Sequence, residues 1–135
     1  MTQALRPEAL DRCIEVLGED GVFRLVDTFY DAMDQLPEAA TIRGMHAADL
    51  RESRRKLALF LIGRFGGRAT YVEERGHPRL RARHLPFPIG APEAGEWLLC
   101  MQVALDREVS DPPLRALLKD FFTHVAVHMV NRVGP

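Results

Sequence analysis

Apolar residues recur at spacings of three and four along nearly the whole chain, the period of helices buried on one face. Leu10, Cys13, Ile14 and Leu17 share a stripe, which predicts a helix from Pro7 to Leu17 with Pro7 in its first turn. Gly18 and Gly21 punctuate its end. Val22, Leu25, Val26, Phe29, Met33 and Leu36 predict a second helix, with Tyr30 at the edge of the stripe and Pro37 either interrupting it or beginning a short separate turn. Gly44 marks a bend. Asp49 is a candidate N-cap for a helix over residues 50–64, charged early and then apolar nearly all round. Gly66-Gly67 ends it. Residues 68–78 show no clear period and read as an irregular excursion. The segment HPRLRARH fits a short helix opened by Pro78, and Pro86 and Pro88 forbid its continuation. Two helices follow. One runs from about Pro92 to Arg107, with Trp97, Met101, Ala104 and Leu105 on one side. The other runs from Asp111-Pro112-Pro113 to about Asn131, with Leu114, Leu117, Leu118, Phe121, Val125 and Met129 as its stripe. No stretch alternates like a half-buried strand, so the predicted class is all-α.

Composition narrows the functions. The 135 residues are 47% hydrophobic, enough to bury a core, and no repeat, linker or low-complexity tract divides them, so one domain over residues 1–135 is expected. A net charge of −1 argues against a general nucleic-acid binder, which carries a basic excess. No apolar run approaches the roughly 20 residues of a membrane helix. The opening MTQALRPEALDRC has neither an apolar segment nor a small-residue cleavage site, so no secretory signal is expected. The two cysteines, Cys13 and Cys100, lie among apolar residues. They read as buried free thiols, with a disulfide as the lesser alternative, and the expected location is the cytoplasm.

One stretch, RLRARHLPFPIG, exceeds what a helical core requires. His84 ends a very short helix. A cation is favoured at a helix C-terminus, so capping is one reading. Metal ligation is the other. Pro86 and Pro88 stiffen the following chain, neutral imidazole is a common iron ligand, and a histidine facing an apolar space between helices is how a haem is gripped. A haem carries two propionate carboxylates. Arg81, Arg83 and Lys56 are candidates to receive them. Arg79 and Arg81 each read more simply as solvated charges, whereas Arg83 abuts the proposed ligand. Trp97, the only tryptophan, reads as a core anchor or as a donor toward a ligand on iron. Tyr30 reads in the same two ways. His46, His77, His124 and His128 compete for the ligand role. His124 and His128 are four apart but have no third ligand nearby, and His77 before Pro78 reads as an N-cap.

The segments FGGRATYVEERGHPRLRARHLPFPIG and EWLLCMQVAL together resemble the group II truncated haemoglobins, mostly bacterial. The double glycine, the tyrosine, GHPRLR, the histidine, PF and the WLLCM element occur in order, and the likeness runs from about Gly18 to the end of the 92–107 helix. The resemblance implies a globin-like two-over-two helical sandwich holding haem b non-covalently. It places the proximal iron ligand at His84, the ligand-facing tryptophan at Trp97 and the distal tyrosine at Tyr30. Lys56, Tyr71 and Arg83 fall where propionates are met. Leu57 falls on a distal apolar position, with Ser53 one turn earlier, and Phe87 is placed among the haem contacts. Met45-His46 falls beside the distal site. His46 is the favoured lining residue, and it would make the hydrogen-bond network pH-sensitive. Two positions depart from the family. Arg68 stands where proline is usual, and GAPEAGEW is rich in glycine and proline where a charged helical start is common.

The function so implied is reversible binding of O2, NO, CO or a similar small ligand, with redox chemistry such as NO conversion to nitrate or peroxide turnover served by a reductase. The alternatives are a haem-based gas or redox sensor acting through a separate partner protein, and a helical domain that keeps the fold without the cofactor. The presence of His84, Trp97 and Tyr30 together weighs against the last. A monomer or homodimer is expected.

Overall fold

The computed structural model describes residues 7–132, and among them the regular structure is entirely helical. A 3-10 turn, Pro7–Arg12, leads into α1 (Cys13–Gln35), and a second, Pro37–Ala39, leads into α2 (Ala40–Gly44). Then come α3 (Arg51–Arg64), α4 (Thr70–Arg75), α5 (Leu80–His84), α6 (Ala91–Glu108) and α7 (Pro112–Met129).

The break expected at Gly18 is a kink inside α1. Gly18 has φ 69° and ψ 164°, a region essentially reserved for glycine. The stretch before it begins as a 3-10 turn and becomes α-helical only at Cys13, a correction to the single helix expected from Pro7 to Leu17. Beyond the kink, Val22, Leu25, Val26, Phe29 and Met33 are buried, as their spacing predicts.

The long helices form two stacked pairs. The α1 helix packs on both α3 and α6, and α6 packs on α7, giving α1 with α3 over α6 with α7. This is the two-over-two sandwich. Phe29, Leu61, Ile62, Met101, Leu105, Leu118 and Phe122 meet in its core, all nearly inaccessible. Burying each such side chain contributes roughly 1.5–3 kcal/mol. Cys13 and Cys100 are buried free thiols, and burial pushes Cys100 up to about 11.

The Gly66-Gly67 turn fastens the start of α1 to the end of α3. Gly66 has φ 94°, and a Cβ there would sit 1.8 Å from the Asp11 carbonyl oxygen. The Ile14 N–H donates to the Phe65 carbonyl at 3.0 Å, and Arg64 pairs with Asp11 at 2.8 Å.

Four other expectations are corrected. Residues 70–75 are helical, although their sequence carries no period. Tertiary contacts stabilise α4: Tyr71 is buried against Phe60, Glu74 takes a bidentate pair from Arg55, and Arg75 pairs with Glu52. On α7, Leu114, Leu117, Leu118 and Met129 are buried as their spacing predicts, but Phe122 and Ala126 are buried in place of Phe121 and Val125, which lie at the margin, so the middle of the stripe is shifted by one position. That helix ends at Met129, before Asn131. Asp49 accepts the Arg51 N–H at 2.9 Å from one residue before the cap position, which Leu50 occupies. The start of α7 is as predicted, with Asp111 accepting the Leu114 N–H at 3.1 Å.

Candidate functional site

A cavity of about 450 Å3 lies among the helices, within the range of small-molecule and cofactor pockets. Every helix of the sandwich reaches it. Tyr30 comes from α1, Ile42 from α2, Leu57 and Phe60 from α3, Trp97 from α6, and Ala126 and Met129 from α7. The short α4 and α5 contribute Tyr71 and His84. Nine of the residues singled out from the sequence line this one space: Tyr30, His46, Lys56, Leu57, Tyr71, Arg83, His84, Phe87 and Trp97. Ser53 and Met45 line it too, so the choice between Met45 and His46 resolves to both.

His84 sits at the last position of α5, where the helix leaves its C-terminal carbonyls to side chains. Its Nδ1 lies 2.6 Å from the Leu80 carbonyl. A carbonyl only accepts, so Nδ1 carries the hydrogen in the neutral ring and Nε2 keeps its lone pair. His46 repeats the arrangement, with Nδ1 2.8 Å from the Ile42 carbonyl.

Tyr30 is 5% exposed and meets Phe29 and His46 edge-on, with ring centroids 4.9 and 5.7 Å away. Burial pushes its phenol up to about 12, opposed by the Arg54 guanidinium, whose carbon is 5.8 Å from the ring centroid. Arg54 is itself held by Asp27 and Asp31 at 3.1 and 2.8 Å. The tyrosine therefore enters the cavity as a neutral O–H donor. Trp97 packs edge-on against Phe29, with ring centroids 5.1 Å apart, and at a tilt against Phe122 at 5.8 Å, which sets the indole plane. Among the described residues neither the Tyr30 hydroxyl nor the Trp97 N–H has a hydrogen-bond partner.

The cations divide into two kinds. On α3, Arg51, Arg54, Arg55 and Arg64 are each paired with an acid. Lys56, which lines the cavity, has no acidic partner among the described residues, and neither does Arg83. Arg83 Nη1 donates to the Tyr71 hydroxyl at 3.2 Å, and Nη2 to the Arg75 carbonyl at 3.3 Å. Those neutral contacts aim the guanidinium without neutralising it. Glu93, the carboxylate on the lining, accepts the Gly90 N–H at 2.7 Å and so serves the start of α6. A ligand with an apolar body and an acidic edge suits this space. Arg81, considered for an acidic group, is not on the lining. It donates to the His128 and Val130 carbonyls, each at 2.7 Å, at the end of α7.

Sequence reasoning missed Phe60, Leu80, Ile89, Val125 and Met129, which close the apolar walls. Leu80, one turn before His84, and Met129, on the α7 stripe, were available from helical spacing. Phe60 lay in a run apolar on all sides, where period points nowhere.

A sequence model of bacterial-like globins matches residues 14–131. The group 2 truncated hemoglobin YjbI of Bacillus subtilis is 42% identical over 118 residues, 87% of this chain and 87% of that protein. The cold-adapted truncated hemoglobin of the Antarctic bacterium Pseudoalteromonas haloplanktis TAC125 superposes with a TM-score of 0.87 at 39% identity, covering 89% of this chain and 98% of that one. The group II 2-on-2 hemoglobin of Agrobacterium tumefaciens gives 0.86 at 39% identity, covering 97% and 98%. With its two stacked helix pairs and the histidine-lined cavity between them, the chain belongs to the bacterial-like globin family, among the group II truncated haemoglobins.

Proposed function

We propose that this chain binds haem b without a covalent bond, takes His84 Nε2 as its iron ligand, and uses the complex to bind O2 and related diatomic gases. The family brings a globin fold and gas binding. The observation that carries the finer reading is the His84 ring: its Nδ1 is committed to the Leu80 carbonyl, and its other nitrogen is left to an apolar cavity. Lys56 and Arg83, the cavity's cations without acidic partners, suit the two propionates. Cys13 and Cys100 lie off the cavity lining, in keeping with a haem held by ligation and packing alone.

When bound, the haem iron supplies the coordination position at which a diatomic gas is taken up. The protein supplies the surroundings. Tyr30 and Trp97 bring two neutral donors into the cavity, and Phe29 packs against both rings and keeps them from turning away. Leu57, Phe60 and Met129 keep the space apolar, so a donor there interacts more strongly than it does in water. Donors that lose a partner when the gas leaves slow its escape. Slow escape suits redox chemistry, such as conversion of NO to nitrate with electrons from a reductase, better than bulk delivery.

Stopped-flow displacement of O2 from the reconstituted ferrous protein tests this reading. Tyr30→Phe and Trp97→Phe are each expected to speed O2 loss by about tenfold, the loss of one hydrogen bond. Rapid O2 loss in the parent, unchanged in both variants, overturns it.

A further inference from the structure

The five residues of α5 include none that is buried. A single helical turn has almost no stability of its own in water. Yet this turn carries His84, and a ligating side chain must hold one direction. The fastening is polar, and it comes from the residues just past the end of α7.

Asn131 uses both ends of its amide at once. Its Nδ2 donates to the carbonyls of His84 at 3.2 Å and Phe87 at 2.9 Å, and its Oδ1 accepts the Ile89 N–H at 3.0 Å. The backbone N–H groups of Asn131 and Arg132 both donate to the Ile89 carbonyl, at 2.8 and 3.0 Å. Arg81 returns the grip from α5, with Nη1 on the carbonyls of His128 and Val130. Pro86 and Pro88 have no N–H to offer, so the carbonyls of the 84–89 loop dominate its polar surface, and Asn131 answers two of them.

We propose that Asn131, with Arg81 beside it, is a positioning residue for the His84 imidazole. The proposal rests on the reading of His84 as the iron ligand. The Leu80 carbonyl sets the rotation of the ring, and Asn131 sets the backbone from which the ring projects. Together they tie the proximal side of the cavity to the C-terminal end of α7, so a displacement of that end is transmitted to the ligand. Only an amide of this length serves both donor and acceptor roles. An aspartate keeps the acceptor, loses both donors and sets a charge against two carbonyl oxygens.

The test compares haem-reconstituted parent, Asn131→Ala, Asn131→Asp and Arg81→Met. Haem transfer to an excess of a scavenger apoprotein gives the rate of loss. Resonance Raman of the ferrous protein gives the iron–histidine stretching band, and hydrogen exchange before haem addition reports the Ile89 amide. Asn131→Ala is expected to lose haem about 10- to 100-fold faster, the usual effect of removing a ligand's support, with a shifted or broadened iron–histidine band and faster Ile89 exchange. Asn131→Asp shows the same band change with Ile89 still protected. If Asn131→Ala fails to fold, Asn131→Asp and Arg81→Met carry the comparison. Parent-like haem loss and an unshifted band in the folded variants overturn the positioning role alone. A parent that retains haem equally well after His84→Ala overturns the ligand reading, and this proposal with it.

Discussion

Nδ1 of His84 lies 2.6 Å from the carbonyl of Leu80, one helical turn earlier. The contact does more than satisfy a polar atom at a helix end. It selects one tautomer of the neutral ring and leaves Nε2 as the nitrogen that can bind a metal. Long-range 15N–1H NMR of the chain before haem addition should show the Nδ1–H tautomer. A neutral His84 ring protonated at Nε2 contradicts the assignment.

Tyr30 predicts a window of alkaline instability. Burial raises its phenol from 10.0 to about 12. Below pH 10 the group is protonated in both folded and unfolded chains and makes no difference. As pH rises from 10 toward 12 the unfolded chain ionises first, and folding loses on the order of 2 kcal/mol from this group. Urea unfolding across that interval should show a drop in stability that Tyr30→Phe lacks. Equal pH dependence in the two proteins contradicts the burial described.

Much of the architecture is legible in the sequence because long amphipathic helices announce themselves by period. The α1, α3, α6 and α7 helices, the Gly18 break and the Asp111 cap all follow from spacing and local chemistry. The nine lining residues were likewise reachable, because the motif around His84 is specific. Tertiary partners were not. The α4 helix is made by Arg55–Glu74 and Tyr71–Phe60, contacts that span turns the sequence does not encode locally. From its neighbours in sequence Arg81 is a solvated charge or a propionate receptor, whereas in the fold it donates to two carbonyls at the end of α7. Spacing places Asn131 near the end of the last helix and says nothing of its side chain, which closes a loop more than 40 positions away.

Gly66 should resist substitution more than its exposure suggests. A Cβ there would combine a positive φ with a 1.8 Å approach to the Asp11 carbonyl oxygen. Gly66→Ala is expected to cost roughly 2–5 kcal/mol, from backbone strain plus the forced separation of the α1 start from the α3 end. Gly44→Ala, where a Cβ meets nothing within 4 Å, should change stability by less than about 0.5 kcal/mol. Chemical denaturation of both variants checks the contrast, and equal effects contradict it.

Lys56 and Arg83 can be tested through the ligand's carboxylates. Removing one partly exposed ion pair costs up to about 1 kcal/mol, so Lys56→Met and Arg83→Met should each speed haem loss by about 2- to 5-fold at low salt. With haem whose propionates are esterified, parent and variants should lose it at similar rates. A difference that persists with the ester assigns these side chains a role other than charge pairing.

The absorption spectrum during haem titration tests the central claim most directly. The parent is expected to take up haem stoichiometrically and develop the Soret band of a histidine-ligated protein. His84→Gly should lose that spectrum and recover it when free imidazole is added. A His84→Gly protein that binds haem as tightly as the parent, with the same spectrum and no imidazole present, would contradict the assignment of His84 as the iron ligand.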